Sequence, residues 1–371
     1  MPNHQFRLLL SAPRCFPYLG GVENHVYQVS RRLASQGVSV TVVSADPEQK
    51  LPPCEEIEGV TMRRVPVLPA KSDWYYSPEF YRMARHGDER GPFDLVHVHN
   101  YLTFASPLAM MGARDGHVPY VLTFHGGGHP SRLRNAVRDT QRRALRPLLA
   151  QSRRLVRSSR FELQLFGDKL NIPHSKFTYI PNGCDIVHGD LPAETDPNLI
   201  ISLGRLERFK GHQLAIAAMP DILKVRPNAR LRVLGHGPYE GELNALAEKL
   251  GVANHVEIRG VPLGERNEMA MILAKAALVV SFSEFETHPI AVMEALALKR
   301  SVLVTKTSGL GELAEDGFAR AIELNSTPQQ AAEAMLQQLA APIAPPNVHL
   351  PTWDECAGAL LSLYTDVLSH A

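Results

Sequence analysis

The sequence predicts an α/β protein of two domains, the first opening as a parallel sheet and the second repeating its strand–helix rhythm. At 371 residues it has room for two domains of ordinary size. It opens with an apolar run at 6–11, a Gly-containing loop, a helical repeat and a second apolar run at 38–43, the order of an open parallel sheet. The same alternation restarts at Leu199, after a stretch rich in Asp, Pro and Gly at 187–197 that reads as a linker. Domains are therefore expected over 1–186 and 198–341.

Composition bounds the partners. With 44% hydrophobic residues the chain is globular, and 39 Lys plus Arg against 38 acids imply no polyanionic partner from net charge. Cys15, Cys54, Cys184 and Cys356 are scattered, which suits free thiols in a reducing compartment. The apolar run at 8–10 is too short for the core of a signal peptide, and no stretch approaches the ~18 apolar residues of a membrane span. The expectation is a cytoplasmic protein, at most peripheral on the inner face of a membrane.

In the first half, Val22, Val26, Val29 and Leu33 recur at helical spacing after Gly20-Gly21. Gly-x-Gly-x-x-Gly is absent, so this is no dinucleotide fingerprint. A strand is expected at 60–67. The aromatic segment 73–86, with Trp74, Tyr75, Tyr76, Phe80 and Tyr81, is core, an interface or a wall for an acceptor. Strands at 94–100 and 118–124 bring up His97, His99, His125 and His129. His-x-His is a metal-ligand spacing, so a metal-dependent hydrolase is one reading and buried, hydrogen-bonded imidazoles another. We read His97 and His99 as mostly structural.

Segment 131–160 holds ten arginines against Asp139 alone, beside an apolar stripe of Leu133, Val137, Leu145, Leu148 and Leu149. It is an amphipathic helix with a solvated basic face, or a surface that meets anionic membrane or a phosphate-bearing acceptor. Aromatic residues are absent from it, which argues against a nucleic-acid groove. Strands at 155–158 and 177–180 end this half.

In the second half, a strand at 199–206 ends in Gly204, with Arg205 and Lys210 five positions apart. Two cations at a strand mouth suit a diphosphate, which Arg can grip through paired donors. Strands follow at 231–234 and 256–260, the latter ending at Arg259. An apolar run at 277–282 then meets Glu286 and Glu294, eight positions apart. If a helix starts near His288, with Pro289 in its first turn, Glu286 sits at its mouth and Glu294 about one and a half turns in. The N–H groups of Ile290 and Ala291 would lie between the carboxylates, where a helix N-terminus attracts anions. Carboxylates would repel a bare phosphate, but they suit a nucleotide-diphosphate sugar, whose phosphates are central and whose ends carry hydroxyls. The alternative is a solvated helix start with two unrelated glutamates. A strand at 301–305, a helix from Ser308, a linker at 342–346 and a helix from Trp353 complete the chain.

Five segments resemble the retaining GT-B glycosyltransferases of family 4: Gly-Gly-x-Glu at 20–23, Thr-x-His-Gly at 123–126, Ile-Pro-Asn-Gly-x-Asp at 180–185, Gly-Arg-Leu-x-x-x-Lys-Gly at 204–211 and Glu-x7-Glu at 286–294. The chain departs from that pattern at Pro289, where Gly is usual, and at Lys299-Arg300-Ser301, where Gly-x-Pro is usual. The resemblance implies a GT-B fold, with two Rossmann-like domains facing a cleft and the helix at 353–370 packing back on the first. It implies that Glu286 contacts the donor sugar, Glu294 the ribose, and Arg205 and Lys210 the diphosphate together with the Ile290 and Ala291 amides. Gly21 approaches the donor phosphate, Arg259 marks the base-binding backbone, His125 lies against the sugar, and Glu23 and His129 are on the acceptor side. The catalytic set is thus Glu286, His125, Lys210 and Arg205.

The implied reaction is metal-independent, retaining transfer of a hexose from a nucleotide-diphosphate sugar, with UDP favoured as the common case. The acceptor is a saccharide, a polysaccharide precursor or a lipid-linked molecule. Asp-x-Asp, the usual metal-binding pair of the other glycosyltransferase fold, is absent, and no cofactor is expected. A nucleotide-sugar epimerase or a non-catalytic sugar-nucleotide binder would share the architecture.

Overall fold

The computed structural model describes residues 6–18, 20–70, 74–126, 132–184, 194–260, 266–343 and 350–370, the backbone alone at 132–136 and 266. Two compact units emerge: Met1–Gly126 with Ala136–Gly183 and Pro351–Ala371, and Gly127–Asn135 with Cys184–Leu350. Among the described residues no helix is long and apolar enough to cross a membrane.

The first unit holds β1 (Arg7–Ala12), β2 (Ser39–Ala45), β3 (Cys54–Ile57), β4 (Val60–Val65), β5 (Leu95–His99), β6 (Tyr120–Thr123), β7 (Arg154–Arg157) and β8 (Phe177–Tyr179). They form one eight-stranded sheet in the order β3-β4-β2-β1-β5-β6-β7-β8. Pairing is parallel throughout except at the β3–β4 edge. Inner strands such as Leu8-Leu9-Leu10 are fully buried, because helices cover both faces of a parallel sheet. The helix Gly21–Ser35 turns Val26, Val29 and Leu33 inward. The C-terminal helix Trp353–Ser369 opens on a reciprocal Thr352–Glu355 capping box and belongs to this unit. Arg32 Nε donates to Asp354 Oδ1 at 2.7 Å, joining those two helices.

The aromatic segment, expected as helical or irregular, is irregular over 74–77 and helical over Pro78–His86: Phe80 is buried, while Trp74 and Tyr76 are exposed. One expectation about this unit needs correction. In the Arg-rich helix, Arg132–Gln151, Leu145, Leu148 and Leu149 are buried but Val137 is exposed. Eight residues make more than two turns, which rotates Val137 roughly 80° away from Leu145. The Leu133 side chain lies outside the described residues.

The second unit holds β9 (Asp196–Leu203), β10 (Arg230–Leu234), β11 (Val256–Arg259), β12 (Ala276–Ser281), β13 (Val302–Thr305) and β14 (Arg320–Ile322). All pair in parallel, in the order β11-β10-β9-β12-β13-β14. Successive residues feed opposite faces: Ile200, Leu278, Val280 and Leu303 enter one cluster, Ile201, Val279, Val302 and Val304 the other. The helices His212–Val225 and Pro328–Ala340 cover the first face, Ile290–Ala297 and Ser308–Glu315 the second.

Candidate active site

In the second unit the predicted cations and one predicted acid converge after the carboxyl ends of β9 and β12. The chain leaves β9 through Gly204 and makes a short 3₁₀ turn, Arg208–Lys210, closed by Gly211 at φ 77°. A Cβ on Gly211 would stand 2.0 Å from the Phe282 carbonyl oxygen, so the turn lies flat against the end of β12. Glu284 N–H donates to the Phe209 carbonyl at 2.8 Å across this junction. Lys210 Nζ consequently pairs with Glu286 Oε1, both side chains being largely buried. The Arg205 guanidinium lies 6.0 Å from the Phe209 ring and Lys210 Nζ 5.5 Å from it, which puts the two cations around one aromatic side chain.

Glu286 is held as well as paired. Ser283 Oγ donates to its Oε1 at 3.2 Å, its N–H donates to Ser308 Oγ at 2.9 Å, and its carbonyl accepts from Gly309 N–H at 2.7 Å. A Cβ on Gly309 would lie 2.0 Å from the Thr287 carbonyl oxygen, so the two loops meet backbone to backbone. His212 pins the other side. Its ring is fully buried, Nδ1 is 2.8 Å from Ser202 Oγ, and Nε2 is 3.1 Å from the Arg205 carbonyl. Burial lowers its pKa from 6.5 to about 4, so the ring is neutral at pH 7.

The helix after Glu286 runs Ile290–Ala297, with Pro289 as its N-cap at ψ 86°. It starts two residues later than expected: a residue before proline is pushed away from helical geometry, which keeps His288 out. Glu294 is thus about one turn inside rather than one and a half. The first intrahelical bond is Met293 N–H to the Pro289 carbonyl at 3.0 Å. The Ile290 and Ala291 N–H groups therefore have no acceptor within their helix. Arg259 does not offer its side chain: the guanidinium pairs with Glu268 at 3.0 Å and Glu257 at 3.5 Å, and its carbonyl accepts from Gly235 N–H.

In the first unit, Gly21 is the exposed first residue of its helix, and Glu23, in the first turn, is buried and paired with Arg14 at 3.0 Å. His97 and His99 project from one face of β5, their rings 4.1 Å apart. His97 is saturated, with Tyr364 OH 2.6 Å from Nδ1 and Thr123 Oγ1 2.8 Å from Nε2. His99 Nδ1 instead lies 2.9 Å from His125 Nε2. His125 follows β6 at φ 45°, and the next amide, Gly126 N–H, donates to the buried Glu162 carboxylate at 3.3 Å. Burial together with neighbouring imidazoles lowers the pKa of His97, His99 and His125 well below the usual range. His129 lies outside the described residues.

His25 is the member the sequence reading lacked. Its ring stands edge-on to His125 at 4.6 Å, and ring nitrogens of His25, His99 and His125 lie within 4.8 Å of one another. His25 sits one turn into the first helix, two residues after Glu23; a polar residue on the face defined by Val22, Val26 and Val29 was the available signal. Elsewhere in this unit, Leu68, Pro69, Trp74, Tyr76 and Phe104 line an open apolar cavity of about 650 Å³. Arginines of the basic helix are partly engaged internally: Arg142 with Asp139, and Arg146 with the Leu170 carbonyl at 2.7 Å.

Comparison with known proteins covers nearly the whole chain. The model of Glycosyltransferase Family 4 matches residues 19–188 and that of Glycosyl transferases group 1 matches residues 185–347. A D-inositol 3-phosphate glycosyltransferase of Nocardiopsis dassonvillei is 27% identical, covering 93% of this chain and 89% of its own. A glycogen synthase of Mycobacterium tuberculosis is 26% identical over 81% of this chain and 77% of its own. Among solved structures, sucrose-phosphate synthase of Thermosynechococcus elongatus superposes with a TM-score of 0.77 at 17% identity, over 98% of this chain and 99% of its own. HepE of Anabaena, solved with UDP-glucose, gives 0.69 at 18% identity, over 98% and 97%.

Proposed function

We propose, for a chain that belongs to glycosyltransferase family 4 and is a glycosyltransferase of the GT-B fold, that it moves a hexose from a nucleotide-diphosphate sugar to a saccharide acceptor with retention and without a metal. The observation that carries this reading is the pairing of Lys210 with Glu286, which precedes the helix Ile290–Ala297 in the chain, with Arg205 and Lys210 around the Phe209 ring. Cations and amides with no acceptor in their own helix suit the diphosphate, and the two carboxylates suit hydroxyls. Glu286 is assigned to the sugar and Glu294 to the ribose. UDP is favoured by the donor named for HepE. Unit 1 is assigned the acceptor side, with Glu23 and His125 as groups it presents to sugar.

In the step we infer, an acceptor hydroxyl oxygen attacks the anomeric carbon on the face the diphosphate leaves. The bond between the anomeric carbon and the diphosphate oxygen breaks, and the hydroxyl proton passes to a departing phosphate oxygen. Negative charge grows on that oxygen, and Arg205, Lys210 and the Ile290 and Ala291 amides oppose it as preorganised donors.

The test is Lys210→Ala assayed for sugar transfer with no added metal. Loss of one such donor is expected to lower turnover by about 10²–10³, and an unchanged rate would remove this account of the leaving group. A chelator should leave the wild-type rate intact, whereas strict dependence on a divalent ion would refute the metal-free mechanism. Product analysis with donor alone separates a transferase from an epimerase.

A further inference from the structure

We propose that His99 fixes His125 in the neutral tautomer that carries its proton on Nδ1, so that His125 meets a sugar as a hydrogen-bond donor and not as a base. The consequence for sugar rests on the reading of His125 given above. The tautomer stands on local geometry alone.

A separation of 2.9 Å between His99 Nδ1 and His125 Nε2 requires a proton on one of the two nitrogens. If His125 donated, the proton of a neutral His99 would have to sit on Nε2. That atom is buried and has no hydrogen-bond partner among the described residues. A buried N–H without an acceptor is among the rarest arrangements in folded proteins, and a bare acceptor is tolerated more often. The proton therefore belongs on His99 Nδ1, and His125 Nε2 accepts it. The proton of His125 is left on Nδ1 of a ring that is only half-buried, so this N–H, unlike one on His99 Nε2, is not a buried orphan.

Both rings are neutral at pH 7, because burial and the neighbouring imidazoles disfavour a charge. The orientation of His125 is fixed by more than this bond. Its backbone is left-handed, the ring abuts His25 at 4.6 Å, and the following amide is tied to Glu162. With Nε2 occupied and Nδ1 protonated, His125 has no lone pair with which to take a proton from an acceptor. His99 is a positioning residue in this scheme. The nearness of His25, His99 and His125 would also suit a shared ion. An ion bound through His99 Nδ1 and His125 Nε2 needs both lone pairs and breaks the hydrogen bond, so the two arrangements exclude each other.

The experiment is nitrogen NMR of the full-length protein labelled with 15N-histidine, with signals assigned from His125→Asn and His99→Asn. The expected spectrum shows His125 protonated on Nδ1 and bare on Nε2, without any substrate. His99→Asn, whose amide nitrogen falls near the Nδ1 position, should retain that pattern, and His99→Leu should relax it to a mixture. A His125 protonated on Nε2, a pattern indifferent to His99→Leu, or one equivalent of tightly bound metal would each overturn the proposal. In turnover, Asn at 125 tolerates the left-handed backbone and presents an N–H where Nδ1 stood. His125→Asn is expected to lower turnover by up to about tenfold, the weight of one hydrogen bond whose geometry is disturbed. A loss of about 10²–10⁴ at unchanged donor KM would mark a general base and overturn it.

Discussion

Gly211→Ala tests how the sequence places its cations. Gly211 has φ 77°, and a side chain with a Cβ pays about 1–2 kcal/mol for that left-handed geometry. The added carbon would also fall 2.0 Å from the Phe282 carbonyl oxygen and 2.8 Å from the Phe282 Cβ. Neither neighbour is the far end of a flexible side chain: one is strand-end backbone, the other the root of a buried ring. Relief requires the 3₁₀ turn to lift off β12, an overpacking cost of about 1–3 kcal/mol. The sum, about 2–5 kcal/mol, corresponds to a fall in Tm of about 4–20 °C for a unit of this size. Because the turn carries Lys210, its pairing with Glu286 should loosen and turnover should fall along with stability. Gly241→Ala is the control: Gly241 lies inside the helix Glu240–Lys249 with nothing within 4 Å of an added Cβ, and the change should be neutral or slightly stabilising. Differential scanning calorimetry and a transfer assay on both variants decide the matter. A Gly211→Ala protein that melts within a degree of wild type with full activity would refute the packing argument.

Acid should weaken the second unit in a defined window. His212 is protonated in the unfolded chain below pH 6.5 but in the folded one only below about 4, so between these values the unfolded state binds more protons and stability falls with falling pH. The loss reaches roughly 3 kcal/mol by pH 4 and grows no further below it, which urea midpoints measured from pH 7 to 4 would check. Tyr364→Phe removes the 2.6 Å partner of His97 Nδ1 and leaves a buried ring nitrogen unsatisfied, at about 1–3 kcal/mol of first-unit stability. An unchanged urea midpoint would show that this bond contributes nothing net.

Much of the fold was legible because buried parallel strands are unbroken apolar runs, and Leu8–Leu10, Val279-Val280 and Val302–Val304 announce themselves. The elements that escaped lack that signal. Cys54–Ile57 is an edge strand with alternately exposed residues and two glutamates, and Arg320–Ile322 is only three residues long. The acids and cations of the second unit were legible as residue types, but their contacts were not. Lys210 and Glu286 are 76 positions apart and meet only because β9 and β12 are neighbours in the sheet. The engagement of Arg259 by Glu257 and Glu268, and the late helix start at Ile290, are likewise decisions of tertiary packing.

The histidines show the same limit from the other side. Their spacing on β5 placed His97 and His99 on one face, yet spacing cannot tell that one ring is saturated by Tyr364 and Thr123 while the other points its Nδ1 at His125. Those partners come from β6 and the C-terminal helix, 26 and 267 residues away. In each unit the polar side chains that gather do so where parallel strands end: His99 closes β5, His125 follows β6, Arg205 follows β9, and Ser283 and Glu286 follow β12. A parallel sheet sends every strand into a loop and then a helix N-terminus on that same edge, so unpaired N–H groups and loop side chains collect there without any local signal. Chemistry at these positions therefore depends on strand order, and strand order is what residue spacing along the chain does not encode.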